Sequence, residues 1–395
     1  MYALAKARWR GDSDHVQTNS PRSVRNYVER SLKSLVALQS EEGRFAEVAA
    51  LFEEAASLPF DRPLARSFLI EAATLAEAKL NDPERAANIY NALFDEDPHD
   101  AKNSEKLVAS YTARGQMDAL YRLRQKQVSL TDSLAERLML RIELAKLEST
   151  ISGVEASFVP LNENLSEDPR HAPTVAELAA TLVAANDYKR LEALFVTQAE
   201  LAEKAADGKE AASFWVEAAR VAETSLGDAR KAASHLERAV AHGPSATAFD
   251  TLARLRVEFS DDRGAADALL RLLALLSGNA RIEPVIRLAE ARARQGEQPL
   301  ARQALEEELS RDPELESIRA RLTEFFREWG DDLALADLLA DGALHAPDKA
   351  TRLVRLKEAA DLYISTGKTP EKAIPLLEQA HDLAPDDRQT SLVLS

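Results

Sequence analysis

The sequence predicts an all-α chain built as a solenoid of about ten antiparallel helix pairs, with no β-sheet. Three observations carry this prediction. Pro98, Pro169, Pro244, Pro313 and Pro385 recur at intervals of 71, 75, 69 and 72 residues, and four of them lie in the related strings FDEDP, LSEDP, LSRDP and HDLAPDD. A fixed period of this kind marks a repeat array rather than one closed core. Only 13 of the 395 residues are glycine, and heavy use of Ala, Leu, Glu and Arg favours helix nearly throughout. Apolar residues also recur at helical spacing, as the unit ending at Pro244 shows.

In that unit, ASFWVEAARVAETSLGDARKAASHLERAVAHGP, apolar or small residues fall at Phe214, Ala218, Val221 and Ala222, then at Ala229, Ala232, Leu236, Ala239 and Val240. These spacings give two amphipathic helices. Gly227 suits the left-handed position after the first helix, and Asp228 suits the N-cap of the second. Pro244 ends the second helix, because the residue before a proline is pushed out of helical geometry.

This pattern resembles the tetratricopeptide repeat, with its period of ~34 residues and a second helix carrying a small residue, a large one, another small or apolar one, then proline. Ala232, Leu236, Ala239 and Pro244 have that spacing. Ala86, Tyr90, Leu93 and Pro98 repeat it, as do Ala373, Leu377, Ala380 and Pro385. The resemblance covers roughly residues 22 to 395. The family's Trp and Gly of the first helix are mostly missing, and turns such as LNDPERA and STGKTPEKA are longer than the family's.

The elements follow in order. Residues 1–21 form an N-terminal tail or a helix capping the first hairpin, or a binding arm led by Tyr2, Leu4 and Trp9. The hairpins span 22–60, 63–98, 99–132, 133–169, 170–206, 207–244, 245–279, 280–313, 314–346 and 347–385, so the array occupies 22–385. Flexible points are expected near Pro59 to Pro63, Ala206 to Lys209 and Ser277 to Ala280. Residues 386–395 read as the opening of a further helix. Arg10-Gly11-Asp12 is too short a string to signify adhesion. Each hairpin leaves an apolar face bare, so neighbours supply most of its stability, and alanines such as Ala72, Ala73, Ala218, Ala219, Ala359 and Ala360 allow close helix approach.

The formal charge is −16, from 66 acidic against 50 basic residues. The mean field therefore repels phosphate backbones and anionic membrane surfaces, which disfavours nucleic acid as a partner. With no cysteine there is no disulfide and no thiolate metal site. No apolar run approaches the ~20 residues a spanning helix needs, so no direct membrane insertion is expected. A cytoplasmic location is expected, with the periplasm as the alternative if a signal segment precedes this sequence.

Little in the sequence points to chemistry. Ser365-Thr366-Gly367-Lys368-Thr369 invites comparison with a phosphate-binding loop, but Leu362 stands where that motif needs glycine, and no strand precedes it. A turn accounts for it more simply: Gly367 ends a helix, Thr369 caps the next and Pro370 takes its first position. The seven histidines include no i, i+4 pair and no His-Glu-x-x-His string. His235 and His242 could share a helix face, but such histidines read as surface residues, with His242 placed where a helix dipole favours it. Runs such as Glu306-Glu307-Glu308 and Asp331-Asp332 read as solvated faces. No catalytic residue, metal ligand or cofactor is expected.

The resemblance implies a right-handed superhelix whose concave wall is lined by the first helix of each hairpin. The family holds extended peptides or partner helices along that wall. Carrying the family's register onto the units after each proline places Glu105, Glu177, Glu258, Arg321, Glu324 and Arg327 there, a mainly acidic groove turning mixed near Arg321 to Arg327. Members that clamp a free tail carboxylate use Lys, Arg and Asn at such positions. The expected partner is therefore a basic or amphipathic protein segment, and the expected role a non-catalytic adaptor assembling a multiprotein complex. A regulatory receptor for a peptide or small ligand, the interaction region of a larger enzyme, and an arm of an envelope or motility complex are the alternatives.

Overall fold

The computed structural model describes residues 2, 3, 6, 21–58 and 60–385. Arg10-Gly11-Asp12, Pro59 and the further helix expected over 386–395 lie outside the described residues, as does most of the 1–21 segment. Among the described residues there are helices and turns and no strand.

Each expected hairpin range holds two α-helices. The first four pairs are α1 (Pro21–Glu41) with α2 (Phe45–Ala56), α3 (Arg62–Ala78) with α4 (Pro83–Glu96), α5 (Ala101–Ala113) with α6 (Met117–Leu130), and α7 (Leu134–Ser152) with α8 (Phe158–Glu167). Then come α9 (Ala172–Ala184) and α10 (Tyr188–Lys204), α11 (Gly208–Thr224) and α12 (Ala229–His242), and α13 (Ala246–Glu258) and α14 (Asp262–Leu273). The last three pairs are α15 (Ile282–Arg294) with α16 (Gln298–Arg311), α17 (Glu316–Trp329) with α18 (Asp332–Leu344), and α19 (Lys349–Thr366) with α20 (Ala373–Leu383). The chain divides into two compact units, Met1–Ala185 and Asn186–Ser395, so the division falls within the 170–206 range.

The proline stops are uniform. Each of the five repeating prolines stands two residues beyond the last residue of a helix, at Glu96, Glu167, His242, Arg311 and Leu383. The residue between is extended: Asp97 has φ −142° and ψ 91°, Asp168 −135° and 93°, Asp312 −143° and 97°. Proline forces this by excluding the helical region for its predecessor. Helix starts are as regular. Asp61, Asp82, Asp100, Asp187, Asp207, Asp228, Asp261, Asp331 and Asp348 each accept a hydrogen bond from the backbone N–H three residues on.

The signature triplets are core. Ala232, Leu236 and Ala239 are buried, as are Ala86, Tyr90 and Leu93, and Ala373, Leu377 and Ala380. So are the alanine pairs Ala72–Ala73, Ala218–Ala219 and Ala359–Ala360. In the first unit, Tyr2 packs with Val28, Leu32, Ala55 and Leu58 of α1, α2 and the turn after it, and Lys6 is ion-paired with Glu54.

Turn chemistry follows the expectation with one correction. Gly227 has φ 65° and Gly367 φ 64°, both left-handed. Asp228 caps α12 through Lys231 N–H at 2.9 Å. Thr369, expected to cap a helix, makes no side-chain cap bond, and its buried Oγ1 has no hydrogen-bond partner. Pro370 opens a short 3-10 turn, Pro370–Lys372, and the α-helix starts only at Ala373. The tighter turn leaves no free N–H where an N-cap hydroxyl would bond.

Candidate functional site

The six residues placed on the groove by register all sit on first helices. Glu105 is on α5, Glu177 on α9, Glu258 on α13, and Arg321, Glu324 and Arg327 on α17. Their surroundings differ. Glu177 is 3.2 Å from Lys146 of α7, while Glu258 stays on its own helix, 3.9 Å from Arg254. Arg321 lies in an ion pair with Glu290 of α15 at 3.1 Å and donates to Glu324 at 2.6 Å, with its guanidinium 4.3 Å from the Phe325 ring centre. Arg327 bonds Glu358 of α19 at 2.5 Å.

In the second unit these contacts belong to a ladder. Glu223 of α11 pairs with Arg254 of α13, Asp250 of α13 with Arg287 of α15, Glu290 of α15 with Arg321 of α17, and Arg327 of α17 with Glu358 of α19. Glu316 and Arg355 add a second rung between α17 and α19. Five first helices are thus tied side by side. The hydrogen bond from Arg355 holds the Glu316 carboxyl below the usual glutamate range despite some burial.

The second helices carry a network that the sequence reading did not anticipate. Glu192 of α10 is buried and accepts from Lys231 at 2.5 Å, with His235 Nε2 at 2.7 Å. One turn-multiple further along α10, Glu203 accepts from Trp215 Nε1 at 2.8 Å and Arg238 at 2.7 Å, and lies 2.8 Å from His242 Nε2. Arg238 also lies over the Trp215 ring at 3.9 Å, and His235 stacks against it at 5.4 Å. His235 and His242 each meet a carboxylate of the neighbouring repeat, but His235, expected at the surface, is buried, because Glu192 and the Trp215 ring enclose it. Burial opposes ionisation of Glu192, yet hydrogen bonds from Lys231 and His235 hold its carboxyl below the ordinary range. Glu203 is lowered in the same way, through His242 and Trp215.

These shifts bear on chemistry. A general acid or base working near neutral pH needs a carboxyl raised toward that pH. Here Glu192, Glu203, Glu316 and Asp337 move down, and burial beside Glu77 pushes the Tyr90 hydroxyl up to about 12, away from neutrality. Such carboxylates are fixed charges that brace helices, and the Tyr90 hydroxyl stays neutral. Among the described residues, no group of three or more His, Asp or Glu side chains is arranged to hold a metal, and no helix is long and apolar enough to cross a membrane.

Glu105 is set apart from the others. It lines a cleft of about 430 Å³ between α5, α6 and the first turn of α7, bounded also by Ser104, Val108, Arg124, Leu130 and Glu136.

No protein-family model and no curated protein matches the chain. Solved structures do. The chain is similar to YrrB, described as a TPR protein with an unusual peptide-binding site, at 18% identity and a TM-score of 0.30, over 49% of this chain and 95% of that one. It is similar to the Naa15/Naa10 structure bound to HypK-THB at 16% identity and a TM-score of 0.38, over 92% of this chain and 64% of that one. A tetratricopeptide repeat protein from Parabacteroides merdae matches at 15% identity and a TM-score of 0.29, over 66% and 98% of the two chains. With its paired helices, proline stops and buried small–large–small triplets, the chain is an all-α protein of repeated helix pairs.

Proposed function

We propose that this protein is a non-catalytic scaffold that holds a segment of a partner protein along the first helices of its hairpins and so assembles a multiprotein complex. The ladder joining α11, α13, α15, α17 and α19 carries the reading. It ties α13, α15 and α17 on both sides and α11 and α19 on one, so the side chains between rungs are presented in a set order on rigid elements. Recognition of an extended segment needs such a row, with little ordering cost left to meet on binding. The carboxylates held ionised by their neighbours support the non-catalytic part. A formal charge of −16 supports a basic or amphipathic segment, charge steering its approach and apolar contacts supplying affinity.

Affinity purification of the full chain tests this. Wild type and a Glu105→Lys/Glu177→Lys/Glu258→Lys variant are immobilised and the retained proteins quantified by mass spectrometry. Partners kept by the wild type and lost by the variant are expected. The same proteins in the same amounts from both would end the assignment of these helix faces.

A further inference from the structure

The cleft in the third hairpin takes the scaffold reading, on which it rests, to a chemical specificity. Its volume of about 430 Å³ lies within the ~300–1,000 Å³ common for pockets that bind ligand groups. Val108 and Leu130 give it apolar wall. Ser104, which is 7% exposed, contributes a buried Oγ that has no hydrogen-bond partner. A helical hydroxyl ordinarily bonds a carbonyl of the preceding turn, as Ser67 does to Leu64 at 2.7 Å. Left unsatisfied, such a group is destabilising, and a ligand that donates to it relieves that cost.

The charges of the cleft are one-sided. Arg124 is already engaged, by Gln127 at 2.8 Å and Glu143 at 2.6 Å. Glu105 and Glu136 also line the cleft, and among the described residues neither has a Lys or Arg within ion-pair distance. Glu136 accepts only from the Thr131 hydroxyl, at 2.6 Å. Two carboxylates and an orphan hydroxyl beside an apolar wall offer acceptors to a cation, while Arg124 in the same lining is turned to Gln127 and Glu143.

We infer that this cleft receives a lysine side chain from an extended segment of the partner protein. The methylene shaft lies along Val108 and Leu130, and the ammonium meets Glu105, Glu136 and Ser104 Oγ. An ammonium has three donors and no acceptor, and it is compact enough to reach a buried hydroxyl. A guanidinium is a planar fork that needs a matching flat carboxylate edge, so arginine fits less well.

The test is a methyl NMR titration of the full chain, read at Val108 and Leu130, with three probes: Nα-acetyl-lysine N-methylamide and its norleucine and arginine counterparts. Saturable shifts at those methyls are expected with the lysine probe. Binding should be at least about five-fold weaker for Glu105→Gln, which removes one charge-assisted contact, and weaker still for norleucine, which lacks the ammonium and with it every polar contact. Ser104→Ala, which removes a hydroxyl with no internal bond to lose, should also weaken the lysine probe and serves as an independent variant should Glu105→Gln perturb α5. Equal affinity for norleucine, tighter binding of arginine, indifference to both substitutions, or no saturable shift at these methyls would each overturn the assignment. The affinity-purification result can still hold in that event, since it reads whole partners on several helices.

Discussion

Arg319 of α17 lies across Gly342 of α18: a Cβ at position 342 would sit 2.8 Å from the arginine Cδ and 3.2 Å from its Nε. The arginine has no room to yield. It is 1% exposed, donates to Pro313 O at 2.9 Å and Leu338 O at 3.3 Å, and pairs with Asp341 at 3.0 Å. Gly342→Ala should therefore lower stability by about 1–3 kcal/mol through overpacking, in spite of alanine's better helix propensity. Urea denaturation measures it. Measured in an Arg319→Met background, the cost of Gly342→Ala should be smaller than in the wild type, because an untethered chain can yield to the new methyl.

Acid sensitivity follows from Glu192. Its folded carboxyl is held below the usual value of 4.5, so it stabilises the fold above that pH and loses its contribution as pH falls through the lower, folded value. Glu192→Gln should destabilise the protein at pH 7 by about 1–3 kcal/mol. The gap to wild type should shrink as pH is lowered toward 3. Denaturation midpoints across that range for the two proteins provide the check, and a constant gap would contradict the assignment.

Ala206 offers the opposite sign. It closes α10 with φ 58°, a left-handed conformation that costs an L residue about 1–2 kcal/mol. Ala206→Gly relieves that strain but gives the unfolded chain more freedom, so a net gain of about 0.5–1 kcal/mol is expected. A melting temperature at or below that of wild type would show the strain to be absent.

The second-helix triplet can be probed at Ala232, which is fully buried where α12 meets its neighbours. Ala232→Leu should overpack the hairpin and cost about 1–3 kcal/mol. A circular dichroism melt unchanged by the substitution would count against the repeat alignment.

Much of the fold was legible because its signals are local. A proline two residues past a helix, an aspartate before one, and alanines four and three apart all act within a turn or two, so spacing alone exposes them. Trp215 was missed since its neighbour Phe214 also fitted the apolar stripe, yet Trp215 is the one buried at 1% exposure. The ion pairs were missed for another reason. Glu223 and Arg254 are 31 residues apart, Asp250 and Arg287 37, Glu192 and Lys231 39. Which charges meet depends on how one hairpin is rotated against the next, and that is set by packing rather than by either sequence segment. Opposite charges separated by about one repeat are the signal that would have found them. Glu177, Glu258 and the α17 residues, read from register as groove charges, turn out to be held by cations and anions of their own array, whereas Glu105 opens onto a cleft.

The uniform proline stop has an evolutionary and engineering corollary. Because every such stop leaves its helix at the same offset, and Asp97, Asp168 and Asp312 leave it in nearly the same extended geometry, a cut made between the prolines that follow those three joins like to like. Lengthening or shortening this molecule by one pair of hairpins asks for no new turn, only for a fresh match between the two faces brought together.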